Sequence, residues 1–192
     1  MNRFEPSEIR QVLSLNLANS KRTVMRVDGF QQAAVLVPLI DSGAECTLLF
    51  TKRTETVDTH KGQVSFPGGV VDGTDTDPTQ TALREACEEV GIIPDSVETL
   101  GILDDITTPI GFVITPVVGF LASIPNIVPN GAEVAEAFQI PLSFFADPRN
   151  GRKEQHVSGG RRYEVWSYNT GRHVIWGATA KIVRMLLDKM KP

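Results

Sequence analysis

Cysteine, histidine and aromatic residues are scarce in this chain, and each scarcity removes a class of explanation. The two cysteines, Cys46 and Cys87, belong to no Cys-x-x-Cys or Cys/His pattern, so a structural zinc site is not expected. Both fall in apolar runs, which predicts buried free thiols rather than a disulfide. His60, His156 and His173 are scattered, as loop or core hydrogen-bonding histidines are, although His60 lies shortly ahead of the glycine pair Gly68-Gly69. Trp166, Tyr168 and Trp176 are candidates to stack on a base, but their strand-like context predicts structural roles. No secretory leader and no apolar run of about 18 residues is present, so a soluble, cytoplasmic protein is expected. A Gly-Lys-Ser/Thr sequence is missing, which excludes a P-loop. Basic side chains are outnumbered 19 to 23, for a net charge of −4. Neither nucleic acid nor an anionic membrane is therefore expected as the main partner, and a phosphate-bearing ligand would need a bridging cation.

What is present suits one compact domain over residues 1–192: 41% of the chain is hydrophobic, enough for a sizeable core. Residues 6–17 carry Ile9, Val12, Leu13, Leu15 and Leu17 after Pro6-Ser7-Glu8, predicting an N-terminal amphipathic helix. Residues 33–40 and 46–51 are apolar runs across a polar turn, predicting a β-hairpin. Residues 99–106 and 112–121 predict a second strand pair, with Pro116 implying an edge or a bulge. Residues 133–138 read as an acidic loop, 147–160 as a mobile polar loop and 163–168 as a strand. A last helix over about 176–190 turns Ile182, Val183, Leu186 and Leu187 inward. The order predicts a mixed α/β (α+β) sandwich.

Residues 68–92, GGVVDGTDTDPTQTALREACEEVGI, organise the rest. Asp77 as N-cap, Pro78 at the first helical position and Gln80 three residues on form a capping-box start, and Gly91 is a stop. Ala82, Leu83, Ala86, Cys87 and Val90 make an apolar stripe. Glu85, Glu88 and Glu89 then fall at i, i+3 and i+4, so three carboxylates crowd one helix face with Arg84 as the nearest cation. Two readings remain open on the triad alone: a site for a hard divalent cation such as Mg²⁺, or a solvated acidic surface.

The run Arg84-Glu85-Ala86-Cys87-Glu88-Glu89-Val90-Gly91-Ile92 resembles the second half of the Nudix box, G-x5-E-x7-R-E-U-x-E-E-x-G-U with U aliphatic. Gly69 and Asp75 keep the spacing of the first half with Asp for Glu, and one extra residue precedes Arg84, as in the coenzyme A pyrophosphatase branch. Upstream, Leu48-Leu49-Phe50-Thr51-Lys52-Arg53 and His60-Lys61-Gly62-Gln63-Val64-Ser65-Phe66-Pro67-Gly68-Gly69 resemble that branch's signature, L-L-T-x-R-S-x-x-L-R-x-H-x-G-Q-V-x-F-P-G-G, with Val57-Asp58 in place of its Leu-Arg. The Trp176-Gly177 entrance to the last helix is similar to that branch as well.

The resemblance implies a Nudix-type α/β/α sandwich around a mixed sheet, and a pyrophosphohydrolase dependent on Mg²⁺ or Mn²⁺. Glu85, Glu88 and Glu89, with the carbonyl of Gly69, would be the metal ligands, and Arg84 would orient the adjacent glutamate, with Asp75 completing the network. Glu85, Glu89, Glu133 and Glu136 are the candidates for the base that activates water. Arg53, His60, Lys61, Gly68 and Gly69 would meet the substrate. The expected partner is a small nucleoside diphosphate derivative of the coenzyme A type, with a homodimer left open. The alternatives are another derivative, such as ADP-ribose, NADH or a nucleoside triphosphate, which Asp58 keeps open, or a Nudix-fold binding module that does not hydrolyse.

Overall fold

A computed structural model describes residues 4–54, 62–158 and 161–191. Its centre is β1 (Gln31–Asp41), which runs parallel to β7 (Phe112–Leu121) from the pair Gln31 and Phe112 to the pair Ile40 and Leu121. On its other edge β1 meets β2 (Cys46–Arg53) as the predicted hairpin, but only at Leu39, Ile40 and Asp41. Beyond those pairs the two strands splay. Into the gap come β3 (Val64–Ser65), paired with β2, and β4 (Gly68–Val70), paired with β1. The Leu36 amide donates to the Pro67 carbonyl at 2.8 Å and closes the wedge. The glycine pair is thereby fixed inside a sheet rather than in a free loop.

The sheet is completed by β5 (Glu98–Ile102) and β6 (Ile106–Thr107) on β7, and by β8 (Val134–Pro141) on β2. Two expectations are corrected here. The acidic stretch at 133–138 is mostly strand, since β8 lines up against β2 from Thr47 to Arg53. Pro116 lies on an interior strand, not an edge, although the irregularity expected as its alternative is present: the β5–β7 register shifts nearby, the missing N–H coincides with the interruption between β5 and β6, and the Pro116 carbonyl accepts from the Leu103 amide at 2.9 Å.

One face of the sheet is covered by α2 (Pro78–Val90), whose Ala82, Ala86 and Val90 pack on Ala34, Leu36, Ile40 and Val117. The other face holds α1 (Pro6–Asn19), α3 (Leu142–Ala146) and α4 (Gly177–Lys189), together with a second sheet of β9 (Gly151–Ser158), β10 (Arg161–Asn169) and β11 (Val174–Trp176). This is the predicted α/β/α sandwich. A 13-residue helix such as α4 is marginal alone. Ile182, Val183, Leu186 and Leu187 are all buried, and each stabilises by about 1.5–3 kcal/mol, so packing rather than propensity holds it. The polar segment at 147–160 contains β9, which pairs along β10 instead of forming a loop. Among the described residues no helix is long and apolar enough to cross a membrane.

The cysteines differ. Cys46 is buried, and burial pushes its thiol up to about 12. Cys87 is exposed, contrary to the stripe expectation, because α2 turns Thr81, Ala82, Ala86, Glu89 and Val90 inward. A thiol reagent should therefore modify Cys87 in the native protein and Cys46 only after denaturation; two fast-reacting thiols would contradict this burial.

Candidate active site

The site starts with how α2 is launched. The Asp77 carboxylate accepts from the Thr79 and Gln80 amides at 2.7 and 3.0 Å, satisfying N-terminal donors the helix itself cannot. Gln80 reaches one residue further back than a capping box would, accepting from the Thr76 amide at 2.6 Å. Gly91 ends the helix with φ +74°, a conformation glycine adopts without strain. The loop and helix are then locked together by Arg84. Its Nε and Nη2 donate to the two Asp75 oxygens at 3.1 and 2.9 Å, a bidentate pair, and Asp75 also accepts from the Thr81 hydroxyl at 2.9 Å. The guanidinium holds the Asp75 carboxyl well below the usual carboxylate range, and Asp75 in turn raises Arg84, so both stay ionised.

Arg84 Nη1, fixed from behind, donates to Glu85 Oε1 at 2.8 Å and to Glu88 Oε2 at 3.4 Å. Asp75→Asn removes one charged acceptor and should lower kcat about 10- to 100-fold with the fold retained, the range typical of groups that orient a reacting carboxylate. Unchanged kcat would show that Glu85 needs no such support.

The three box glutamates part company. Glu85 lies against Gly69 so closely that a Cβ there would meet its two oxygens at 2.5 and 2.6 Å. Glu89 is turned inward, 5% exposed, and accepts from the Gly68 amide at 3.2 Å. Burial is the largest influence on Glu89 and pushes its carboxyl up to about 7; the Gly68 amide and Arg53 work against this, whereas the Glu85 and Glu133 charges add to it. Glu88 instead points outward beside Arg84 with 59% of its side chain exposed. Among the described residues no three acidic, histidine or cysteine side chains are gathered so that they could hold a metal ion between them. What is gathered is a pair of carboxylates against a glycine backbone, with the Glu85 carboxyl group occupying the space that a side chain at Gly69 would need. That oxygen-only donor set suits a hard divalent cation that keeps some of its own water.

Two further candidates sit at the mouth. Arg53 Nη2 is 3.5 Å from Glu133 Oε2, and both charges act on Glu89. Asn130, which sequence reasoning overlooked, sets this corner: its side chain accepts from the Glu133 and Val134 amides at 3.0 and 3.1 Å, while its own amide donates to the Glu89 carbonyl at 2.9 Å. Its sequence signal is its place in the turn-rich run Asn126-Ile127-Val128-Pro129-Asn130-Gly131. Glu136 is not brought here. The β2–β8 register shifts at Lys52/Arg53, so Glu136 follows Phe138 to the other side of the strand and pairs with Arg172 at 2.7 Å, with His173 Nε2 at 3.5 Å. His173 is buried and stacked on Phe138 at 3.8 Å, as a core histidine. Asp58, His60 and Lys61 lie outside the described residues.

The comparisons with known proteins bear on this arrangement. Residues 30–154 match the NUDIX domain family, a span that includes the wedge, the glycine pair, all of α2, Arg53 and Glu133. The chain belongs to the Nudix hydrolases. It is 43% identical over 162 residues to an uncharacterized Nudix hydrolase, NudL, of Pectobacterium atrosepticum, covering 81% of each chain. It is also 39% identical over 155 residues to the mouse peroxisomal coenzyme A diphosphatase NUDT7, covering 78% of this chain and 66% of that one. These relatives place it on the coenzyme A pyrophosphatase-like branch of the Nudix family. Among solved structures, a Nudix hydrolase from Alicyclobacillus acidocaldarius superposes with a TM-score of 0.55 at 18% identity, over 85% of this chain and 93% of that one. Another, RenU from M. smegmatis, does so with a TM-score of 0.52 at 24% identity, over 64% and 78%. Both likenesses speak to the fold. Nudix hydrolases generally use divalent ions such as Mg²⁺ or Mn²⁺ and act on small nucleoside diphosphate derivatives.

Proposed function

We propose that this Nudix hydrolase is a metal-dependent pyrophosphohydrolase that cleaves the diphosphate of coenzyme A or an acyl derivative, giving 3′,5′-ADP and 4′-phosphopantetheine or its acyl form. The observation that carries the reading is the convergence of Glu85 and Glu89 on Gly68 and Gly69 in a chain 39% identical to a coenzyme A diphosphatase.

Hydrolysis adds water across the P–O–P bridge: the water oxygen bonds to one phosphorus, the bridging bond breaks towards the other phosphate, and one proton must be taken away. Positioning and charge neutralisation dominate the barrier. Glu85, Glu89 and the Gly69 carbonyl would hold Mg²⁺ or Mn²⁺, with Glu88 joining on release from Arg84, and the bound ion would neutralise the diphosphate oxygens and acidify water. Arg84, clamped by Asp75, fixes the direction of the Glu85 carboxylate. Arg53 offers its guanidinium to a phosphate oxygen, a task for which its planar fork is suited. Glu133, half exposed and beside Glu89, is placed to accept the proton; Glu136, paired with Arg172, is not. The test is kcat/KM with Mg²⁺ and with Mn²⁺ over coenzyme A, acetyl-coenzyme A, ADP-ribose, NADH and nucleoside triphosphates. A coenzyme A species should be turned over best, by at least about tenfold, the effect of about 1.4 kcal/mol. Preference for ADP-ribose or NADH would overturn the substrate and leave the carboxylate site standing; no turnover of any would favour a binding module.

A further inference from the structure

We propose that Trp176 is the platform on which the substrate's base stacks, a specificity-determining contact apart from the residues that face the diphosphate. This rests on the reading above only in that the substrate is an adenine-bearing diphosphate.

The two tryptophans are treated in opposite ways. Trp166 packs against the core and lies under the Arg184 guanidinium at 4.7 Å, whereas Trp176 keeps 48% of its surface exposed. Tryptophan carries a large apolar face and is enriched where proteins meet ligands and partners, so one left open on regular structure is a candidate contact. Strand alternation holds it there. Ile175 is fully buried opposite the buried Tyr168, so Trp176, next along β11, must point to the opposite face. Its cross-strand neighbour is Ser167, too small to cover an indole, and Val174, two residues back on the same face, is itself 51% exposed. The pair makes an exposed apolar strip, bordered beyond Ser167 by the exposed Arg152.

The strip is anchored beside β3, the strand that leads into the glycine wedge. The backbone of Trp176 is the entry to α4, and Thr179 Oγ1 one turn on donates to the Val64 carbonyl at 3.1 Å, tying α4 to β3. From β3 the chain passes through Phe66 and Pro67 directly to Gly68 and Gly69. Three residues separate Ser65 from Gly69, a span of at most about 13 Å, comparable with the reach from a nucleoside's phosphates to its base. On the same strand pair Lys52 lies directly opposite Val64, adding a half-buried cation along the path. A rigid, uncharged aromatic face of this kind takes another aromatic face. In coenzyme A, ADP-ribose and NADH alike, that is the adenine.

The test uses the full chain. With Trp166→Phe, Trp176 is the sole indole, and its fluorescence is followed on titration with 3′,5′-ADP and, separately, with 4′-phosphopantetheine. Saturable quenching by 3′,5′-ADP alone is expected. In parallel, Trp176→Ala should raise KM roughly tenfold or more with kcat within about twofold, and Trp176→Phe should recover most of that loss. The kinetics are run on whichever adenine-bearing compound is turned over, so failure of the coenzyme A reading does not decide this one. Should Trp166→Phe not fold, the KM series decides alone. Quenching by 4′-phosphopantetheine and not by 3′,5′-ADP overturns the proposal. So does an unchanged KM in Trp176→Ala, or a loss of kcat and thermal stability with KM intact, which would mark the indole as merely structural.

Discussion

Glu89→Gln should abolish turnover and yet make the metal-free protein more stable at pH 8. Loss of a carboxylate from the proposed metal site is expected to lower kcat by about 10³-fold or more, since charge stabilisation there is a matter of several kcal/mol. The stability effect follows from burial. Glu89 holds its proton up to about 7 in the folded chain, against 4.5 for an ordinary glutamate. Below pH 4.5 both folded and unfolded states carry the proton, and the contribution is fully present. Between pH 4.5 and about 7 the unfolded state has released the proton while the folded state keeps it, so stability falls as pH rises. Above that window the loss is complete, on the order of 3 kcal/mol. The substituted glutamine has no charge to bury, and its side-chain carbonyl can still accept from the Gly68 amide. In EDTA at about pH 8 the variant should melt about 6–12 °C above the unsubstituted protein, and at about pH 4 the two should coincide. Parallel pH profiles of Tm would show that Glu89 is not held in a desolvated position.

Adding one methyl group at each glycine of the wedge should separate fold from chemistry. At Gly68 a Cβ would meet the Ala34 carbonyl oxygen, and the Val35 Cα at 2.6 Å. Those are backbone atoms of β1 that cannot yield without opening the β1–β4 ladder, so Gly68→Ala should cost about 1–3 kcal/mol or more and lower Tm accordingly. At Gly69 the three atoms nearest the Cβ would all belong to the carboxyl group of Glu85, the end of a flexible side chain. Gly69→Ala should therefore melt close to the parent while pushing Glu85 out of line, at a cost of about 10²-fold in kcat. Melting curves and steady-state rates on the two variants decide the matter. Equal loss of stability in both would mean that Glu85 is held too firmly to move, and full activity in Gly69→Ala would remove Glu85 from the chemistry.

Much of α2 was legible because its signals are local: Asp77 and Pro78 at the start, Gly91 at the stop and Arg84-Glu85 between them act within a few residues. Its rotation was not. On polarity alone Cys87 belongs inside and Glu89 outside, and the contact that reverses them, the Gly68 amide, arrives from another strand. The wedge itself is invisible to periodicity, since β3 and β4 contribute only two and three residues and their pairing depends on the splay of β1 from β2. β9 read as a loop because Arg152, Lys153, Glu154 and Gln155 are polar and exposed in succession, which leaves no apolar alternation to mark a strand. Glu133 and Glu136 were equivalent in sequence; the register shift opposite Lys52 and Arg53 sends them to different surroundings. The exposure of Trp176 was hidden for a similar reason, because an indole in a strand gives no sign of which face it will take.

The most direct measurement is mass analysis of the products when the purified chain is incubated with coenzyme A and Mg²⁺ or Mn²⁺, alongside Glu85→Gln and an EDTA control. The expected result is stoichiometric 3′,5′-ADP and 4′-phosphopantetheine from the unsubstituted protein, and neither product from the variant or the control. Intact coenzyme A in every tube, or equal product with Glu85→Gln, would contradict the account.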